Sequence, residues 1–106
     1  MIYIASPYTD PDSAIREQRA RAAAAYTAGL AKKNELCFCP ICHSHVLTAF
    51  DVPQDWYFWE RFDKPFLNLC EELHVLMLDG WDRSRGVANE IRFFVEAAKP
   101  IKYVYQ

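Results

Sequence analysis

Four short apolar segments divide the chain, at residues 1–5, 36–39, 73–78 and 101–105. The run at 73–78 is almost continuously apolar, which is typical of a strand covered on both faces of a sheet. Between these segments, apolar residues recur every three or four positions, the spacing of amphipathic helices. The pattern therefore predicts strands that alternate with helices.

The first long helix is predicted to follow a proline-containing loop at residues 6–12. Asp12 and Ser13 are residue types that cap helix N-termini, so the helix should begin at one of them. Its alanine-rich sequence favours helix as far as about Lys33, and Asn34 is the predicted terminator.

The segment between the second and third strands is harder to assign. Residues 43–52 follow no single period, so both a loop and a short helix stay open. The aromatic residues 56–62 predict a helix, and Asp63 is predicted to cap a further short helix. Pro65 then falls in the first turn of that helix, a position that proline tolerates.

The last helix is predicted to begin at Asp82 or Ser84. It should end before Pro100, because proline cannot continue a helix. Its apolar stripe repeats at helical spacing and consists of Val87, Ile91, Phe94, Val95 and Ala98.

Strands that alternate with helices predict an α/β fold, with a parallel sheet covered by helices on both faces. In such sheets, ligands bind beyond the carboxyl ends of the strands. The loops at those ends are residues 6–12, 40–45 and 79–85, and they hold many of the small and polar residues. This placement locates a candidate site before any particular chemistry is considered.

The composition favours a globular domain without a polymer or membrane partner. The formal net charge is −2 and the basic residues are dispersed, which argues against binding of nucleic-acid polymers. No apolar run approaches the ~20 residues of a membrane span. The N-terminal residues lack the basic start of a signal peptide, so the predicted location is the cytoplasm.

Three cysteines, Cys37, Cys39 and Cys42, precede His43 and His45, and this clustering raises the question of a zinc site. Structural zinc sites usually combine two separated ligand pairs, whereas this chain has one cluster. We therefore predict no metal, and we interpret Cys37 and Cys39 as small buried side chains. A zinc-stapled interaction protein stays the weakest alternative.

The segment that enters the last helix carries the strongest candidate chemistry. A helix N-terminus attracts anions such as phosphate, and Ser84 can add a hydroxyl donor there. Glu90 lies four residues after Gly86, hence one turn deeper on the same helix face. Since Gly86 has no side chain, a ligand can approach the Glu90 carboxylate across that turn. An ordinary surface glutamate is the alternative interpretation of Glu90.

Further candidates lie at the ends of the first two strands. Ser6, Pro7 and Tyr8 follow the first strand, and the Tyr8 ring can stack on a base or bond to a carboxylate. His43 and His45 follow the second strand, and either can contact a substrate. Neither the dinucleotide glycine fingerprint nor the P-loop occurs, so no cofactor is predicted.

Three motifs in this order resemble the nucleoside 2-deoxyribosyltransferase superfamily, and in particular its small phage and bacterial members. They are Tyr-Ile-Ala-Ser-Pro-Tyr at residues 3–8, Asp63 ahead of a buried strand, and Ser-x-Gly-x-x-x-Glu at residues 84–90. The resemblance implies a three-layer, flavodoxin-like sheet of four strands in the order 2-1-3-4. It also implies a homodimer or a higher homo-oligomer, and the length of 106 residues predicts a single domain over residues 1–106.

In this superfamily a glutamate attacks the anomeric carbon of the sugar, and the matching residue is Glu90. The resemblance implies that Tyr3 positions this carboxylate and that Asp63 supports the sugar and the base. Nucleoside transferases usually carry an aspartate where this chain has Ser84, which resembles the branch that hydrolyses deoxynucleoside 5′-monophosphates. The departure leaves the proton donor open, with Asp82 as a candidate.

The expected reaction is therefore cleavage of the N-glycosidic bond of a (deoxy)nucleoside or its 5′-monophosphate, by hydrolysis or base transfer. A non-catalytic nucleotide-binding module of the same fold is the alternative, in which Glu90 only contacts a ribose hydroxyl. The expected catalytic residues are Glu90, Tyr3 and Asp63. The expected substrate-binding residues are Ser6, Pro7, Tyr8, His43, Asp82, Ser84 and Gly86.

Overall fold

The computed structural model describes residues 1–105, and its centre is a four-stranded sheet in which all neighbouring strands are parallel. The strand order is β2-β1-β3-β4, as predicted. The strands are β1 (Ile2–Ala5), β2 (Cys37–Phe38), β3 (Glu72–Leu76) and β4 (Ile101–Val104).

Helices lie on both faces of this sheet, which confirms the three-layer α/β prediction. Along β1 successive side chains point to opposite faces, so Tyr3 joins one apolar cluster and Ile4 the other. Among residues 1–105, no helix combines the length and apolar character that crossing a bilayer requires. The helices are α1 (Ser13–Lys32), α2 (Pro40–Leu47), α3 (Trp56–Leu69) and α4 (Arg85–Glu96), and short 3-10 turns cover Thr48–Phe50 and Trp81–Arg83.

Local hydrogen bonds explain the ends of α1. The carboxylate of Asp12 accepts a hydrogen bond from the N–H of Ala14 at 2.9 Å, which caps the first turn. At the other end, Asn34 adopts a left-handed backbone with φ 60. The N–H of Glu35 then reaches the carbonyl of Leu30 at 3.1 Å, the bond of a Schellman cap. Both predicted ends of this helix are confirmed.

The prediction that Asp63 caps a separate short helix is wrong, because α3 is continuous through it. This helix begins at Asp55, whose carboxylate accepts a hydrogen bond from the N–H of Phe58 at 2.9 Å. Pro65 lies in the helix interior and removes one backbone donor. The apolar face of α3 outweighs that loss, since Leu67 is buried and Phe66 stacks on a β2 ring at 3.9 Å.

Arg19 of α1 joins the loops that follow β1 and β3. Its guanidinium donates to the carbonyl of Thr9 and to the carbonyl of Asp79, each at 3.0 Å. Gly80 makes this approach possible, since a Cβ there would lie 2.8 Å from a guanidinium nitrogen of Arg19. Gly80 also has φ 91, a backbone conformation that glycine adopts without strain. Arg19 therefore holds the two loops at a fixed position relative to each other, at the carboxyl ends of the strands.

Replacing Pro65 by alanine restores the missing backbone donor on an exposed position of α3. We expect Pro65→Ala to raise the free energy of unfolding by about 1–3 kcal/mol, measured by urea denaturation. Lys64→Ala at the neighbouring exposed position is the control, and it should change stability by less than about 0.5 kcal/mol. A destabilised Pro65→Ala protein would contradict this account of the helix.

Candidate active site

A cleft of about 700 Å³ opens at the carboxyl ends of the strands. Its size is that of a small-molecule site. The loop after β1, the first turns of α2 and α4, and one side of α3 form its walls. Seven of the residues that the sequence singled out line it, namely Ser6, Pro7, Tyr8, Asp63, Ser84, Gly86 and Glu90.

Two predicted substrate contacts lie outside this cleft. His43 is exposed on α2 because Pro40 begins a helix there, and it is Ser44 and Thr48 that share the cleft-facing side with Pro40. Asp82 lies in the 3-10 turn, exposed, with its carboxylate 3.6 Å from a guanidinium nitrogen of its neighbour. A strand-and-loop interpretation of residues 36–45 could not foresee which α2 side chains face inward.

Tyr3 is fully buried behind Glu90 and packs in the core between β1 and α4. Its hydroxyl has no well-formed hydrogen-bond partner, and the polar group it approaches is the Glu90 carboxylate. Burial raises the pKa of Tyr3 strongly, and the negative charge of Glu90 raises it further. Tyr3 therefore keeps its O–H proton and can donate it towards the Glu90 carboxylate.

Protein atoms surround the Glu90 carboxyl group and exclude most of the water from it, although part of the residue faces the cleft. Desolvation raises the pKa of Glu90 to about 8, and the charge of Asp63 contributes to that rise. The interaction with Tyr3 acts in the opposite direction, because it stabilises the ionised form. At neutral pH, Glu90 therefore exists mainly as the neutral acid in the free protein.

Asp63 projects into the cleft from α3, on the same layer of the fold as Glu90. Desolvation raises its pKa to about 6. Asp63 is therefore mainly ionised at pH 7, at which Glu90 is mainly protonated. Two carboxyl groups with separated pKa values can perform different tasks in one site.

The entrance of α4 combines a capped helix end with open space. The Ser84 hydroxyl oxygen accepts a hydrogen bond from the N–H of Val87 at 3.2 Å, and its own hydrogen can donate to a ligand. A Cβ on Gly86 would meet nothing closer than the Ser84 oxygen at 4.0 Å. The Arg85 guanidinium lies 5.8 Å from the ring centre of Trp56, also on the cleft wall. This end of the cleft suits an anion.

Ser6 supplies a second unsatisfied polar group. The residue is 7% exposed, and its hydroxyl has no hydrogen-bond partner within the protein, although it lines the cleft. Buried hydroxyl groups normally have a partner, since an unpaired one costs free energy. A ligand hydroxyl or ring nitrogen in the cleft can provide that partner.

The clustered cysteines lie at the start of α2 and in the strand that precedes it. Cys37 is in β2, Cys39 precedes α2 and Cys42 is in α2. Cys39 is buried, as predicted, whereas Cys37 is partly exposed. Interaction with the Cys39 thiol lowers the pKa of the exposed Cys42 thiol. Within residues 1–105, no three His, Cys, Asp or Glu side chains are grouped closely enough to hold a metal ion.

The chain matches a protein-family model over its whole length. A family model described as a domain of unknown function (DUF1937) covers residues 1–106. The chain belongs to this family. No curated protein matches it.

The raised pKa of Glu90 predicts a pH-dependent gain from Glu90→Gln. Ionisation of Glu90 opposes folding, so its contribution to stability is complete below about 4.5 and is lost as the pH rises through about 8. Glutamine imitates the neutral acid. We expect Glu90→Gln to be neutral at pH 5 and stabilising by on the order of 2–3 kcal/mol at pH 9, measured by chemical denaturation. Glu96→Gln, at an exposed position of α4, is the control, and an equal gain there would contradict the assignment.

Proposed function

We propose that this protein is a cytoplasmic enzyme that cleaves the N-glycosidic bond of a (deoxy)nucleoside 5′-monophosphate or nucleoside, with Glu90 as nucleophile. The observation that carries the proposal is the desolvated Glu90 carboxyl on the wall of the cleft, with the Tyr3 hydroxyl behind it. Asp63 lies on the same wall. Paired carboxyl groups beside a sugar-sized space are the equipment of glycosidic cleavage.

The cleft offers a distinct place for each part of such a substrate. The N-terminus of α4 and the Ser84 hydroxyl suit a phosphate, because free N–H groups and the helix dipole favour an anion. The sugar then lies over Gly86, whose lack of a side chain opens the path to Glu90. Trp56 provides aromatic surface for the base.

The reaction follows the retaining course of glycoside cleavage. The Glu90 carboxylate oxygen forms a bond to C1′ as the bond from C1′ to the base nitrogen breaks, and the electron pair of that bond leaves with the base. Water or a second base then attacks C1′ and releases Glu90. The Tyr3 hydroxyl helps to hold the carboxylate in its ionised form, against the desolvation that raises its pKa.

A binding module without catalysis is the second candidate, and the protonation of Glu90 favours it. A carboxyl group with a pKa of about 8 is mainly neutral at pH 7 and can donate a hydrogen bond to a ligand oxygen. The cleft then holds a nucleotide without attacking it. Base release separates the two candidates, because only the enzyme liberates a free heterocycle.

A panel of deoxynucleosides and their 5′-monophosphates tests the proposal, with free base and base exchange both measured by chromatography. We expect base release from at least one substrate, and Glu90→Gln should lower kcat/KM by at least about a thousandfold. For the active substrate, kcat/KM should rise with pH on the acid side of the profile, since the nucleophile must be ionised.

Glu96→Gln keeps the activity, because that side chain is exposed at the end of α4. Base release that survives Glu90→Gln would end the nucleophile assignment. Thermal stabilisation by a nucleotide without any base release would instead favour the binding module.

Gly86→Ala tests the open path to Glu90. Alanine favours the helical conformation, so the variant should be more stable by about 0.5–1 kcal/mol. Its methyl group enters the cleft, so nucleotide affinity and turnover should fall, measured by ligand-induced shifts in Tm and by base release. Gly29→Ala is a matched control on α1, where a Cβ meets nothing within 4 Å. Gly29→Ala should retain full affinity, and equal affinity in Gly86→Ala would contradict this path.

A further inference from the structure

Three polar side chains form a hydrogen-bonded chain that begins at the cleft. The Tyr8 hydroxyl, on the cleft wall, lies 2.7 Å from Nδ1 of His45. Nε2 of His45 lies 2.6 Å from a carboxylate oxygen of Glu17. These residues belong to the loop after β1, to α2 and to α1, so only the folded protein brings them together. A tyrosine, a histidine and a carboxylate joined in this order can transmit a proton.

The site described above has no assigned donor for the proton that a departing base requires. Asp82, the sequence candidate, is exposed outside the cleft. Asp63 is mainly ionised at neutral pH and lies on the same layer as Glu90. In retaining cleavage, the acid acts across the anomeric carbon from the nucleophile. A donor should therefore come from the opposite wall.

Tyr8 occupies that opposite wall. Its ring packs against the apolar cluster shared by α1 and α2, whereas Glu90 belongs to α4, on the other face of the sheet. The His45 ring meets the Tyr8 ring edge-on, with 5.5 Å between the ring centres. The His45 side chain is 24% exposed, so solvent can return a proton to it between turnovers.

We propose that the Tyr8 hydroxyl protonates the leaving base, and that His45 and Glu17 supply and hold the proton. The base nitrogen receives the electron pair of the broken C1′–N bond and takes the proton of Tyr8. His45 begins the step as the imidazolium, with protons on both ring nitrogens, and its Nδ1 proton moves to the Tyr8 oxygen as this occurs. His45 is left neutral, with its Nε2–H donated to the Glu17 carboxylate. Tyr8 is the catalytic residue, and the other two are positioning residues.

This inference rests on the proposed function and deepens it, and leaving-group dependence tests it. Two substrates are compared. One is a deoxynucleoside 5′-monophosphate that the enzyme cleaves, and the other is 2-deoxyribose 5-phosphate with a p-nitrophenoxy group at C1. The nitrophenolate leaves without a proton. Tyr8→Phe should lower kcat for the natural substrate by about 10²–10⁴-fold and leave the nitrophenyl substrate nearly unchanged.

His45→Gln should show the same selective loss to a smaller extent, because Tyr8 keeps its hydroxyl. Tyr103→Phe, which removes a hydroxyl from an exposed tyrosine of β4, is the control and should affect neither substrate. Tyr8→Phe preserves the packed ring, and His45→Gln offers an independent variant if folding is disturbed.

Equal loss on both substrates in Tyr8→Phe would overturn proton donation, since it indicates a role in binding or shape. An unchanged rate on the natural substrate would overturn it as well. Failure of the proposed function gives a different result. Wild-type protein then releases neither leaving group, or Glu90→Gln releases both.

Discussion

Desolvation of the Glu90 carboxyl is the constraint around which the rest of the structure is arranged. An acid removed from water costs free energy unless it stays protonated, and its pKa of about 8 expresses that cost. The buried Tyr3 side chain lies next to this carboxyl group, and its hydroxyl favours the ionised form of Glu90. A protein that only needed stability would place an apolar side chain there. Desolvated carboxyl groups with strongly shifted pKa values are concentrated at functional sites.

The shape of the cleft depends on more than the buried Glu90, because its walls come from separate parts of the chain. Arg19 fixes the loops after β1 and β3 by bonding to carbonyl groups in both. The continuous α3 carries Asp63 and Trp56 to the cleft from a third direction. Each of these contacts uses backbone groups or helix geometry. The positions of the chemical groups therefore depend on the fold as a whole.

Much of the fold was predictable from local signals. Apolar runs predicted the positions of the strands, and the capping residues Asp12 and Ser84 predicted where two helices begin. The strand order came from the family resemblance. Of the apolar stripe assigned to α4, Phe94 is buried as expected, but Val95 is exposed. A periodicity argument identifies a helix face but not its width.

The site was predictable where strand ends and helix starts determine it, as at Ser6, Ser84 and Glu90. It was not predictable where a local rule competed with tertiary packing. Pro65 suggested a new helix start beside Asp63, yet burial of Leu67 sustains one helix through both. The pairing of Tyr8 with His45 spans 37 residues, and no local pattern signals it.

Adjacent residues of β1 serve opposite faces of the sheet, so Tyr3 belongs at once to the hydrophobic core and to the wall behind Glu90. A slip of β1 by one position would exchange Tyr3 with Ile4 and disrupt both apolar layers together with the wall. The environment that perturbs Glu90 is thus created only when the central strand docks in register. In a chain whose first strand has not docked, Glu90 lacks the enclosure that raises its pKa, so this perturbation depends on the formation of the native core.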